Sequence, residues 1–147
     1  MKKIKLVIII IFILSFINIA KANLNISLKK YLDGKDIEKG STQIYLLKRC
    51  SSVYAYASGI VLKSDAISSK NFIEISNNLL FKSVELMVIE ENKKLEEAQE
   101  EAENNRKELF SNYISDGKKN WEKNKSHFKG SYISEDMVIC SKLIEDD

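Results

Sequence analysis

The chain has 147 residues, 44% of them hydrophobic, with five glycines and no proline. That allows one domain with a real core, is too short for two ordinary domains, and lacks the turn residues that a sandwich or barrel needs. The formal charge is +2 from 23 basic and 21 acidic groups, but four of the lysines stand in the first 22 residues, where there is no acid. The remainder is mildly acidic, near −2, and has no electrostatic case for binding nucleic acid.

Residues 1–22 have the three parts of a secretory signal. Lys2, Lys3 and Lys5 make the basic start, Leu6 to Leu14 is an unbroken apolar run, and Ala20-Lys21-Ala22 supplies small residues for a cut between Ala22 and Asn23. The apolar stretch is shorter than the ~20 residues of a spanning helix, so cleavage is expected rather than anchoring. No cysteine lies near the cut, which excludes a lipid-modified start. Residues 23–147 then form a single helical domain.

In the entry segment, Leu28, Tyr31 and Leu32 cover one short helical turn, and Asp33-Gly34 and Lys39-Gly40 are turn signals. Ser41 or Thr42 is the expected cap of the helix that organises the chain, Gln43 to Leu62. Leu46, Cys50, Val53, Ala57 and Ile60 follow steps of four and three, and Leu47, Tyr54 and Val61 run beside them. That spacing is a buried helical face. Gly59, near its end, is expected to pack closely against a neighbour.

A polar connection over 63–70 leads to a second helix capped by Ser68, Ser69 or Asn71. It carries Phe72, Ile73, Leu79, Leu80, Val84, Met87 and Val88, with Asn77 and Asn78 as a point of fraying or bending. Residues 90–108 are almost wholly charged or amide apart from Leu95, Ala98 and Ala102. They read either as a charged helical arm or, if the chain bends near 89–95 or 104–105, as a third helix with a solvated face. Ser115-Asp116-Gly117 is expected to end this region. Trp121 and Phe128, seven apart, pin a polar basic loop or short helix to the domain. Ser134 caps a last helix whose inner face is Met137, Cys140 and Ile144, with Leu143 beside it.

Two cysteines allow one intramolecular pairing, and both lie on apolar helical faces, so a Cys50–Cys140 disulfide is expected in an oxidising compartment. There is no C-x-x-C pair and no glycine-rich phosphate loop, and His127 is the only histidine, which reads as a surface residue. Adjacent glutamates such as Glu96/Glu97 point about 100° apart on a helix and cannot converge on one substrate. No catalytic, cofactor-binding or metal-binding residue is therefore assigned. Tyr54 faces the core, whereas Tyr45 and Tyr56 lie off the main stripe.

The reading is an all-α bundle of about four helices closed by one disulfide, periplasmic or secreted. It is expected to be a non-catalytic protein-binding or structural module, with no cofactor and an unidentified protein partner. Membrane contact is confined to the signal segment before cleavage. The alternative is a small-molecule or lipid carrier with a cavity lined by Tyr54, Phe72, Phe81 and Met87.

Overall fold

A computed structural model describes residues 26–145. The signal segment and the Ala22/Asn23 cut lie outside these residues. The described chain is helical without strands and forms five helices: α1 Leu28–Leu32, α2 Gly40–Val61, α3 Ala66–Glu90, α4 Leu95–Asn124 and α5 Tyr132–Glu145. The expected all-α bundle is present, with the short α1 added to four longer helices. No helix among the described residues is long and apolar enough to cross a membrane.

The middle of the stripe read on the organising helix is buried, whereas Leu46, Ile60 and Val61 are half-buried and Tyr56, read as off the stripe, is buried too. Cys50 and Val53 are 0% exposed, and Ala57, Leu47 and Tyr54 are buried with them. The helix starts at Gly40, ahead of both expected caps. Lys39 makes no side-chain cap bond, and Thr42 is buried instead. In α3 the cap is Asp65, which accepts the Ser68 amide at 3.0 Å and the Ser68 hydroxyl at 2.6 Å. An aspartate before the first apolar turn reaches two donors where a serine would reach one. Asn77 and Asn78 neither fray nor break α3; both are exposed, and Asn77 accepts Arg106 Nη1 at 3.0 Å.

A short connection makes α2 and α3 antiparallel neighbours, and serines set their contact. Ser51 Oγ donates to Ser76 O at 2.8 Å, Ser76 Oγ donates back to Ser51 O at 2.7 Å, and Ser58 Oγ donates to Ser69 O at 2.9 Å. Ser69, Ser76 and Ser83 are seven residues apart and buried, as are Ser51 and Ser58. Small hydroxyls at this spacing let the backbones approach; Ser51, Ser58 and Ser76 satisfy theirs on the facing carbonyls, and Ser83 on Leu80 O of its own helix. Gly59 plays no part: it is exposed, and nothing lies within 4 Å of where its side chain would stand.

The chain turns back over 91–94, where Asn92 takes a left-handed φ of 53° and Met87 O accepts the amides of Glu91 and Lys93. Residues 95–108 are thus the start of a third long helix, not a projecting arm. Ala98 and Ala102 are fully buried among Ile44, Leu80, Val84 and Met87. The expected stop at Ser115-Asp116-Gly117 is absent, and α4 continues to Asn124. Gly117 sits mid-helix because a Cβ there would overlap the Tyr56 hydroxyl. Trp121 therefore belongs to α4 and is 47% exposed, while only Phe128, in the loop, is packed against the main core. The last helix begins at Tyr132, before Ser134, whose hydroxyl turns back to Ser131 O. Cys50 and Cys140, 90 residues apart, are bonded with a Cα–Cα distance of 5.4 Å.

Candidate functional site

The most densely bonded group is buried beside the disulfide. Arg49, one residue before Cys50, is 1% exposed, and Asp136, one helical turn before Cys140, is 0% exposed. Asp136 Oδ2 accepts Arg49 Nη2 at 2.7 Å, Arg49 Nε at 2.9 Å and the Tyr113 hydroxyl at 2.7 Å; Oδ1 accepts the Leu28 amide at 2.6 Å. Arg49 Nη1 donates to the Tyr45 hydroxyl at 3.0 Å, and Nη2 also donates to Ile26 O. Burial opposes the guanidinium's charge, yet Tyr113, Asp136 and Tyr45 together hold it protonated above its ordinary range. Burial also pushes the Asp136 carboxyl up, against the pull of Arg49, the Leu28 amide and the Tyr113 hydroxyl. Facing a permanently charged guanidinium, the carboxylate keeps its charge. Every oxygen is occupied, so this is a structural junction of α1, α2, α4 and α5 with no atom left for a substrate.

A second group surrounds the sole histidine. His127 is half-buried rather than a free surface residue. Its Nδ1 lies 3.1 Å from the Tyr56 hydroxyl, and its ring stacks on Trp121 at 4.9 Å between centroids. Burial raises the Tyr56 hydroxyl to a pKa of about 12, so it is a hydrogen-bonding group and not a base at neutral pH. No nucleophile, second imidazole or carboxylate completes a catalytic set around it, and no group of three potential metal ligands exists among the described residues.

A third group joins α2 to the 91–94 turn and α4. Glu101 lies 3.6 Å from Lys48, and Lys93 bridges Glu101 and Glu91. The hydrogen bond from Lys93 holds the Glu101 carboxyl below its usual range, and burial lowers the Lys48 ammonium. Of the other carboxylates in the first half of α4, Glu103 is paired with Arg106 at 3.0 Å, whereas Glu96, Glu97, Glu100 and Glu108 are exposed. Glu97, Glu100, Asn104 and Glu108 edge a shallow depression of about 340 Å³.

The four residues read as a ligand-cavity lining are not brought together. Tyr54 and Phe72 pack on each other in the main core at 5.6 Å. Met87 is buried in the second cluster, and Phe81 is 60% exposed. The larger apolar concavity lies elsewhere, about 630 Å³ between α2, α3 and α5, with Leu46, Leu86, Ile89 and Leu143 among its walls. Sequence reasoning missed the Arg49–Asp136 junction. The available signal was the scarcity of arginine: two among 23 basic residues, one of them inside an apolar stripe.

No protein-family model, curated protein or solved structure matches this chain.

Proposed function

We propose that this is an exported small helical protein that works without catalysis, by binding a basic segment of another protein along the acidic face of α4. One observation carries the reading. Glu96, Glu97, Glu100 and Glu108 are exposed and form no ion pair among the described residues, while their helix is seated firmly through Ala98 and Ala102. A rigid row of carboxylates steers and orients a partner with cations at helical spacing. Export to the periplasm or beyond is supported by the signal-like residues 1–22 and by a disulfide, which persists in oxidising surroundings.

Capture of the tagged chain from the exported fraction, after cross-linking, is expected to recover one protein in stoichiometric amount. A Glu96→Lys, Glu97→Lys, Glu100→Lys variant is expected to lose that partner at unchanged far-UV circular dichroism. Equal recovery from both chains, or a lone monomer from both, overturns the reading. The concavity of about 630 Å³ favours a second reading, a carrier of an apolar small molecule. It would appear in the same preparation as a retained ligand in native mass spectrometry.

A further inference from the structure

The far end of α4 has the opposite chemistry. Lys118, Lys119, Lys123, Lys125 and Lys129 fall within twelve residues, with Glu122 as the only acid among them. Lys119 is paired with Asp116 at 3.0 Å, and all five lysines are exposed. Helical geometry sets Lys107, Ile114 and Trp121 on one line at steps of seven, with Lys118 on the line beside it and Lys125 at the helix end. Ile114 is 48% and Trp121 47% exposed. Two large apolar side chains thus stand in a row of lysines on the outward side of a helix.

The loop that follows is built to hold this face still. Asn120, buried beneath it, donates from Nδ2 to Ser126 O at 2.7 Å and to Lys129 O at 3.0 Å. Ser126 Oγ accepts the amides of Phe128 and Lys129. Lys125 ends the helix in the left-handed conformation, and His127 is laid against one face of the Trp121 indole. The indole is therefore held in place while nearly half exposed.

We propose that this end of the molecule docks on an anionic membrane surface, with Trp121 and Ile114 entering the headgroup layer and the lysines lying against lipid phosphates. An outward ridge suits a flat partner. Indole rings settle at the headgroup level, and lysines are drawn to anionic leaflets. The acidic half of the same helix does not cancel this attraction. Glu108, the nearest of the four exposed carboxylates, is about 20 Å along the axis from Trp121, more than two screening lengths at physiological salt. It instead orients the molecule, with the acidic face held away from the surface. A second copy of the chain is a poorer occupant. It would meet only these two large apolar groups, among exposed ion pairs that contribute little.

Trp121 is the only tryptophan, so its emission reports on this face alone. The exported protein is titrated with vesicles of phosphatidylcholine, and with vesicles in which about a third of the lipid is phosphatidylglycerol. Binding with a blue shift, and quenching by brominated acyl chains, is expected for the anionic vesicles only, weakening as salt is raised. Each lysine removed should weaken binding roughly fivefold. A Lys118→Gln, Lys125→Gln variant is therefore expected to bind on the order of 25-fold more weakly, while Lys70→Gln, on α3, leaves binding unchanged. Trp121→Phe should retain part of the binding measured by co-sedimentation, whereas Ile114→Ser with Trp121→Ser should abolish it. Four outcomes overturn the proposal: no binding, equal binding to both vesicles, a concentration-dependent blue shift without vesicles, or binding to heparin with vesicles ignored.

Discussion

Arg49 is the residue on which the buried polar chemistry converges, and the reason is its shape. A guanidinium is a planar fork, so Nε and Nη2 can both address one carboxylate oxygen while Nη1 reaches Tyr45. A lysine could not make these bonds from one position. The pair adds little net stability over apolar residues of similar size, because both charges had to leave water. Breaking it is another matter. Asp136→Ala is expected to cost about 3–5 kcal/mol, because Arg49 is left buried and uncompensated. Arg49→Met with Asp136→Leu should cost less than Asp136→Ala alone. Urea denaturation midpoints with unchanged slopes would show the order, and the reverse order would mean that the pair is a net stabiliser. The disulfide partners were legible in the sequence because two cysteines leave no choice of partner. The Arg49–Asp136 pair was not, because a charged residue inside an apolar stripe has many possible partners, and only the fold picks one. Asp136, near the start of α5, is claimed by the Leu28 amide and Arg49.

At the scale of the element, α4 is the least obvious helix in the chain. Its composition changes from acidic to basic along its length, and Gly117 is a residue that usually ends helices. The glycine survives because tertiary packing overrides propensity. Tyr56 from α2 occupies the space its side chain would need, and in doing so reaches His127. Gly117→Ala should therefore destabilise the fold by roughly 1–3 kcal/mol, although alanine is the better helix former. Tyr56→Phe in the same chain should recover part of that loss, since the hydroxyl is the nearest obstruction. Thermal melts of the two single variants and the double variant give the coupling directly; a stabilising Gly117→Ala would sink the account. Periodicity did reveal a helix after the 63–70 connection and a helical 90–108 stretch, though the second helix already starts at Ala66 inside that connection, and a bend near 89–95 was among the places where the chain could turn. It could not show that the serines at 51, 58, 69 and 76 form the seam of α2 on α3. Serine reads as a loop or surface residue until a facing carbonyl is known.

The whole molecule is closed from its two ends. The α2–α3–α4 layer is made from neighbours joined by short turns, whereas α1 and α5 are fastened to it and to each other by contacts across about a hundred residues. Cys50→Ala with Cys140→Ala is expected to lower stability by about 2–5 kcal/mol, with the loop-entropy value of about 4.6 kcal/mol as a guide. The helical circular dichroism should stay unchanged, because Arg49 and Leu28 still hold Asp136. Hydrogen exchange is the sharper measurement: protection should fall first in α5 and α1, and uniform loss across α2–α4 would contradict it. The all-α class and the disulfide could be read from the sequence because both depend on local pattern and on count. The Arg49–Asp136 junction, and the docking of α1 against α5, depend on separations that no local pattern carries. That topology sets an order of events in time. A chain emerges from synthesis with its N-terminus first, so Ile26, Leu28, Arg49 and Cys50 all appear long before Asp136 and Cys140. Until α5 arrives, Arg49 lacks its carboxylate, Cys50 lacks its partner thiol, and the Leu28 amide lacks its acceptor. The arrival of α5 is therefore expected to act as a latch, supplying in one helix the carboxylate for Arg49, the acceptor for Leu28 and the thiol for Cys50.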